Sequence, residues 1–120
     1  MKFKESKPIY LQIADRIMDE ILQDRYAEEA RIPSVREYAA EVEVNANTMV
    51  RSYDYLQSQD IIFNRRGIGY FVQTEAKARI QALRKEVFLR DDLPELFRSM
   101  RLLGISMEEI ARLYENYCSE

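Results

Sequence analysis

Apolar and polar positions along the first 60 residues follow a helical period. After Pro8, isoleucines recur at four-residue steps from Ile9 to Ile21, and acidic residues occupy the other face. This spacing predicts an amphipathic helix with Pro8 as its first residue, where a missing N–H costs nothing.

Two shorter helices are predicted next, each opened by a capping residue. Ser34 followed by Glu37 has the spacing of a capping box and opens a helix to about Val42. Asn45 is placed to cap a third helix that runs to about Gln59. The face of this helix that we expect to be buried holds Met49, Ser52, Tyr53 and Leu56.

At Ile61 the helical pattern of apolar residues gives way to short runs that are typical of strands. The runs IIFNRR and IGYFV are β-branched and aromatic, and they flank Gly67, which is typical of a hairpin with Gly67 and Gly69 at or near its turn. Three helices followed by a hairpin is the order of a winged helix-turn-helix.

The last third of the chain is helical again. One helix is predicted to about Arg90, and Asp91-Asp92 before Pro94 restarts a second. Gly104 ends that helix, and Ser106 opens a final short one with capping-box spacing.

These elements predict an α+β fold: residues 1–73 as a winged helix-turn-helix domain and residues 74–120 as an all-α tail. The tail's apolar stripe is too large to stay exposed on a monomer, so it folds back onto the winged domain or pairs with a second copy. A homodimer is preferred because paired recognition helices read a palindrome. The candidate dimerisation residues are Leu83, Val87, Phe88, Leu96, Phe97, Met100, Leu103, Ile110 and Leu113.

Composition removes several classes of enzyme. The 120 residues include no His and one Cys, Cys118, so nucleophile systems and zinc sites that need His cannot be built. A single thiol closes no disulfide within the chain, and no run is long enough to span a membrane. We therefore expect a cytoplasmic binding protein with no metal, no cofactor and no enzymatic activity.

The charge balance gives no general affinity for nucleic acid. The net charge is −3, and residues 1–72 carry ten cations against twelve anions. DNA binding therefore requires cations that are separated in space from the acids of the first helix and its following loop. The cations predicted at the contact edge are Arg36, Arg51, Arg65 and Arg66, with Lys2, Lys4 and Lys7 near the N-terminus. The acids that oppose them are Glu37, Glu41 and Glu43.

The third helix carries side chains suited to reading a DNA groove, because a recognition helix presents its N-terminal residues to base edges. Asn47 can read adenine, Thr48 can reach a phosphate or a thymine methyl, and Arg51 can take guanine or a phosphate. The alternative is that Asn45 and Thr48 only cap the helix while Arg51 is solvated.

The hairpin tip is the second candidate contact. Arg65 and Arg66 beside two glycines let the backbone approach a phosphate or enter a minor groove, or they form a solvated turn. Arg36 likewise is a phosphate clamp or a surface residue.

Four segments in register resemble the GntR family of bacterial transcription regulators over residues 8–72. They are Pro8-Ile9-Tyr10 with Gln12-Ile13, Pro33-Ser34-Val35-Arg36, Asn45-Ala46-Asn47-Thr48 with Arg51-Ser52-Tyr53, and Arg66-Gly67-Ile68-Gly69-Tyr70-Phe71-Val72. The remaining 48 residues resemble the short-tailed YtrA-type branch, whose tail is a small helical dimerisation unit.

The resemblance implies a homodimeric repressor that binds a palindromic operator in double-stranded DNA; it names no effector. The alternative is a winged-helix module that binds protein, and a carboxylate-based hydrolase is a distant third. The predicted DNA-binding residues are Ser34, Arg36, Asn45, Asn47, Thr48, Arg51, Arg65, Arg66, Gly67 and Gly69.

The chain departs from the family pattern at two turns. Many members have Pro-Gly-Asp where this chain has Glu28-Glu29-Ala30, and Leu-Gly-Val where it has Val42-Glu43-Val44. Losing a turn glycine alters the backbone preference there, and Glu43 beside the DNA face would repel phosphate. Many relatives also carry a basic residue or Pro where Ala46 stands, so base reading is expected to differ at that point.

Overall fold

A computed structural model describes residues 7–120, which divide into two compact units, the winged unit (residues 7–84) and the tail unit (residues 85–120). The predicted α+β winged helix-turn-helix with a helical C-terminal part is confirmed. The elements are α1 Ile9–Leu22, α2 Val35–Val42, α3 Ala46–Ser58, β1 Ile62–Arg65, β2 Gly69–Val72, α4 Ala76–Val87, a π-helical turn Phe88–Asp92, α5 Leu93–Leu103 and α6 Met107–Cys118.

The winged unit has one apolar core to which α1, α2 and α3 all contribute. The periodicity of α1 buries Ile13, Ile17 and Ile21 but leaves Ile9 exposed, and all four predicted residues of α3 are buried. The largest fully buried apolar side chains are Tyr38, Tyr53, Ile17, Met18, Ile21, Met49, Leu56, Ile61, Ile62, Ile80 and Val72. Burial of such side chains supplies most of the driving force for folding, at about 1.5–3 kcal/mol for a large apolar residue.

Pro8 is the N-cap of α1 and not, as was predicted, its first helical residue. Its ψ of 148° is extended, so it caps α1 instead of forming its first helical residue. The Pro8 carbonyl accepts the N–H groups of Leu11 and Gln12, both at 3.1 Å. The prediction was wrong by one residue because a proline fits both positions, needing no N–H in either.

Both predicted N-caps of the helix-turn-helix are present. The backbone N–H of Glu37 donates to Ser34 Oγ at 3.1 Å, and the Ser34 N–H donates to Glu37 Oε1 at 2.9 Å. Asn45 Oδ1 accepts the N–H of Asn47 at 2.7 Å. Between the two helices Glu43 adopts a left-handed backbone, with φ 59° and ψ 49°.

The wing is an antiparallel hairpin in which Arg65 pairs with Gly69, so residues 66–68 form its turn. The segment before α2 adds backbone hydrogen bonds and an isolated bridge to β2, which were not predicted. Its Ile32 N–H donates to the carbonyl of Tyr70 at 2.9 Å, and a bridge joins Arg31 to Phe71. These bonds fix the wing to the entrance of α2.

The start of α4 belongs to the winged unit. Ala76 and Ile80 are buried in the same core, and Leu83 packs against it. Arg84 Nη1 donates to Asp19 Oδ1 at 2.8 Å, and Arg84 Nη2 donates to the carbonyl of Asp15 at 3.0 Å. The compact division therefore falls inside α4, while the functional boundary at 73/74 stays a prediction.

The tail unit contains one correction. The helix predicted to restart at Asp91-Asp92 does not break there, because the π-helical turn carries it through to α5, where Pro94 is in the first turn. A proline ring collides with the carbonyl four residues earlier, and a wider turn accommodates it. Gly104 ends α5 at φ 71°. Ser106 caps α6 by accepting the N–H of Glu109 at 3.1 Å, but the reciprocal bond of the predicted capping box, from the Ser106 N–H to the Glu109 side chain, does not form. No helix of residues 7–120 is long and apolar enough to cross a membrane.

Candidate nucleic-acid interface

A buried hydroxyl fixes α3 against the entrance of α2. Tyr53 Oη donates to the Pro33 carbonyl at 2.6 Å, and the Tyr53 ring meets Tyr70 of the wing edge-on, with centroids 4.9 Å apart. Burial raises the pKa of Tyr53, so it stays protonated and keeps donating. One side chain thus ties the recognition helix, the second helix and the wing together.

The N-terminal turn of α3 presents its polar side chains in two ways. The side chain of Asn45 caps the helix by accepting a backbone N–H. The side chain of Asn47 is exposed, and that of the next residue, Thr48, is half-buried. Val50 is also exposed, at 42%, although it was not among the predicted contacts. An exposed methyl-bearing side chain on a recognition helix suits the methyl group of thymine.

Arg51 lies over an aromatic ring of α1. Its guanidinium carbon is 4.1 Å from the centroid of Tyr10. The next residue, Ser52, is buried and donates from Oγ to the carbonyl of Tyr10 at 2.7 Å. The start of α1 and the middle of α3 are therefore held together at one residue.

The wing holds Arg65 in a similar manner. Phe63 and Phe71 are cross-strand partners whose rings stack with centroids 5.7 Å apart. The Arg65 guanidinium lies 5.8 Å from the first ring and 5.2 Å from the second. Arg66 follows, exposed, in the turn.

Sequence reasoning missed Arg31, which lies beside the base of the wing. A Cβ placed on Gly69 would come within 2.8 Å of Arg31 Nε, so the absence of a side chain at Gly69 makes room for this guanidinium. Gly67, at the tip, has no neighbour within 4 Å of such a Cβ. No sequence motif marks Arg31; only its backbone bridge to Phe71 brings it to the wing.

The cations around α1 are neutralised by carboxylates. Glu20 is buried and accepts a hydrogen bond from Tyr38 Oη at 2.8 Å, and it pairs with Arg25 at 3.2 Å and Arg16 at 3.5 Å. Glu41 pairs with the same two arginines, at 3.6 and 3.8 Å. Burial raises the pKa of Tyr38, which keeps its proton in this network.

Three further ion pairs join cations to aspartates of α1 and of the turn that follows it. Their residues are Lys7 with Asp15, Arg84 with Asp19, and Lys77 with Asp24. Lys7 is thus engaged, and the other two N-terminal cations predicted at the contact edge, Lys2 and Lys4, lie outside the described residues.

The arginines of α2, α3 and the wing differ from that group. Within the described chain none of them has an ion-pair partner; they are Arg36, Arg51, Arg65 and Arg66, and Arg31 in the segment before α2 has none either. Ion pairing therefore divides the arginines of the winged unit into a neutralised group and an unpaired group. Unpaired guanidinium groups are suited to bind phosphate because their charge is not compensated.

The three acids expected to oppose DNA behave differently from one another. The carboxylate of Glu37 is occupied in its capping box, and the hydrogen bond from the Ser34 backbone lowers its pKa. Glu41 is ion-paired, as described above. Glu43 is exposed at the turn, and no ion pair joins it to any residue from 7 to 120.

The residues predicted for dimerisation differ in their exposure and in what they pack against. Leu83 packs on the core of the winged unit, Val87 and Ile110 are half-buried, and Met100 is buried. The exposed members of the predicted set are Phe88, Leu96, Phe97, Leu103 and Leu113. Exposed apolar residues of the tail unit outside that set are Leu89, Leu102, Met107, Tyr114 and Tyr117.

Comparison with known proteins places these features in a family. Residues 9–72 match the family model described as bacterial regulatory proteins, gntR family. The chain is 38% identical to YhcF of Bacillus subtilis (strain 168), an HTH-type transcriptional regulator, over 91% of this chain and 88% of YhcF. It is 28% identical to the HTH-type transcriptional repressor YtrA of the same strain, over 89% of this chain and 82% of YtrA.

Two solved structures extend the comparison. A GntR-family transcriptional regulator from Bacteroides thetaiotaomicron is 55% identical, with a TM-score of 0.84 over 93% of this chain and 97% of that chain. AraR(DBD) in complex with operator ORR3 is 28% identical, with a TM-score of 0.52 over 54% of this chain and 78% of that chain. The first likeness spans both units, and the second covers about the length of one winged domain.

Proposed function

The chain belongs to the GntR family of bacterial regulatory proteins, and on this premise we propose that it is a repressor that binds a palindromic operator as a homodimer. It is a DNA-binding transcriptional regulator of the helix-turn-helix class. The family is one of transcription regulators and not of enzymes. Contact with chromosomal DNA requires a cytoplasmic location.

One observation carries the proposal for the DNA face: the arginines sort into two groups. Those around α1 are ion-paired with acids, and those of α2, α3 and the wing have no carboxylate partner among residues 7–120. A chain with net charge −3 gains affinity for phosphate only from such local groups.

The roles of these residues follow from helix-turn-helix docking. Arg36, at the start of α2, and Arg51 contact phosphates on either side of the major groove. Asn47 and Thr48 face base edges, and the turn around Gly67 approaches the minor groove.

The homodimer is supported by the apolar surface of the tail unit. Phe97 is 48% exposed and Leu103 72%, both on α5, and Leu113 of α6 is 55% exposed. Exposed apolar residues in such number mark an interface in soluble proteins, and a second copy of the same face provides the matching surface. Two winged units brought together in this way read two half-sites.

The repressor assignment is supported by the chain's likeness to the repressor YtrA, which extends over 89% of this chain. A dimer bound across a promoter represses by occupying DNA that RNA polymerase needs.

A gel shift with the DNA upstream of its own gene tests the DNA face. Replacing Arg36 and Arg51 together by Ala is expected to weaken binding by about 100-fold or more, since each hydrogen bond to a charged phosphate contributes about 1.5–3 kcal/mol. The matched control is Arg79→Ala with Arg101→Ala, which removes the same charge from exposed positions outside the predicted DNA face. Absence of any complex at low salt, or equal affinity of the two double variants, contradicts the proposal.

Sedimentation analysis tests the homodimer. The intact chain is expected to be dimeric at micromolar concentration, and Phe97→Glu with Leu103→Glu to be monomeric, because buried unpaired carboxylates are costly. Ile9→Glu is the control, since Ile9 is 56% exposed but lies on α1 of the winged unit. A monomeric wild type, or a dimer that survives the tail substitutions, would exclude this interface.

A further inference from the structure

Tyr10, near the start of α1, makes two contacts with consecutive residues of the recognition helix. Its ring lies under the guanidinium of Arg51 at 4.1 Å, and its carbonyl accepts the Ser52 hydroxyl at 2.7 Å. The Ser52 side chain is fully buried, so the second contact fixes the backbone of α1 against α3. The backbone of Tyr10 is therefore held in place independently of Arg51.

A ring and a carboxylate hold an arginine with different consequences. A carboxylate compensates the charge of the guanidinium and accepts its N–H donors, as happens to Arg16 and Arg25 through Glu20. An aromatic face restricts the guanidinium by cation–π attraction and leaves its charge and its in-plane donors available. Arg51 is held in the second way.

Arg25 and Arg51 are both stacked on tyrosine rings, but only Arg25 is also ion-paired. Arg25 lies 5.5 Å over the ring of Tyr26, but it also pairs with two carboxylates, so its charge is compensated. Arg51 is 4.1 Å from its ring, and no ion pair joins it to any residue that the structure describes. Of these two stacked arginines, Arg51 is the one prepared for an external anion.

We propose that Tyr10 is a positioning residue for DNA binding, whose ring orients the guanidinium of Arg51 toward the phosphate backbone. The inference rests on the proposed function, in which Arg51 contacts phosphate. Tyr10 acts through Arg51, so its removal lowers affinity for all sequences alike and reduces the dependence of binding on salt.

The test measures binding of the full chain to a labelled duplex from the region upstream of its own gene, at several salt concentrations. Tyr10→Leu is expected to weaken binding about 3- to 10-fold, within the range of a cation–π contact. Tyr10→Phe keeps the ring and is expected to bind within about twofold of wild type. In an Arg51→Ala background, Tyr10→Leu is expected to have no further effect.

Tyr26→Leu is the matched control, because it removes a half-buried ring beneath Arg25 and leaves Arg51 unchanged; it is expected to bind as wild type. Thermal melting of each variant shows whether it is folded. If Tyr10→Leu is not folded, Tyr10→Met is used in its place, because methionine is long and flexible, and the same loss of binding is expected.

Three results would overturn the inference. They are a loss with Tyr10→Phe equal to that with Tyr10→Leu, an undiminished effect of Tyr10→Leu in the Arg51→Ala background, and wild-type affinity of Tyr10→Leu. Each leaves the DNA-binding proposal intact, because wild type still binds. Wild type that binds no DNA at low salt overturns both.

Discussion

At the scale of single residues, two glutamates adopt the left-handed backbone conformation that favours glycine. Glu29 and Glu43 stand where many members of the family have Gly, and both have a left-handed backbone, with φ 65° and 59°. A residue with a Cβ is strained in this region by about 1–2 kcal/mol. The two departures therefore place a residue with a Cβ in a left-handed turn, which lowers the stability of the turn.

Glu43→Gly is expected to raise the free energy of unfolding by about 1 kcal/mol, because glycine adopts the left-handed turn without strain. It also removes an uncompensated negative charge beside the predicted DNA face, so DNA binding should become tighter. Urea unfolding and the gel shift measure the two effects.

Asp60→Gly is the control for the charge effect. Asp60 has φ 59° and carries the same charge, but it follows the C-terminal end of α3, about 20 Å along the helix from Ala46 at 1.5 Å per residue. Asp60→Gly should also raise the free energy of unfolding, but it should leave DNA affinity unaltered. Equal effects of Glu43→Gly and Asp60→Gly on DNA affinity would mean that Glu43 does not lie beside the DNA.

At the scale of elements, the wing depends on the segment that precedes α2. Its two strands were predicted from the sequence, whereas the backbone bonds that residues around Arg31 make to β2 were not. Gly69 is the point at which the guanidinium of Arg31 passes close to the hairpin backbone. The two wing glycines therefore have different roles.

Gly67→Ala and Gly69→Ala form a matched pair. At Gly67, with φ 76° and no neighbour near a Cβ, alanine is expected to cost about 1 kcal/mol of backbone strain. At Gly69 alanine is strained as well, at φ 147°, and it must also displace Arg31. Gly69→Ala should therefore weaken DNA binding more than Gly67→Ala in the same gel shift. Equal losses, measured on folded protein, would exclude a role for the Arg31 contact.

At the scale of the whole molecule, the first turns of α4 complete the core of the winged unit. Ala76 and Ile80 are buried there, and Arg84 bonds to two residues of α1. A chain that ends after Arg84 retains all of these contacts, whereas a chain that ends after Gln73 loses them.

We expect the chain that ends after Arg84 to fold and to bind a half-site as a monomer, and to lose the gain that bivalency gives on a palindrome. Ending the chain after Gln73 should lower the free energy of unfolding by about 3 kcal/mol or more, since removing one buried isoleucine already costs about 2–5 kcal/mol. Urea unfolding of the two fragments measures this difference. Equal stability would show that α4 is dispensable to the winged unit.

The sequence alone determined the features that depend on neighbouring residues. The isoleucine spacing of α1, the Ser34–Glu37 box, the Asn45 cap and the hairpin glycines are local patterns, and each stands within a residue of its predicted place. Together with the four GntR-like segments, they were sufficient for the fold and the family.

Tertiary structure decided everything that depends on contacts between distant segments. The bridge between Arg31 and Phe71 and the stacking of Arg51 on Tyr10 join residues that are far apart in the chain. Ile80 is buried in the winged unit although its helix was assigned to the tail. A net charge of −3 likewise gave no information on which arginines are neutralised. Only folding brings particular carboxylates to Arg16 and Arg25 and leaves the arginines of α2, α3 and the wing uncompensated.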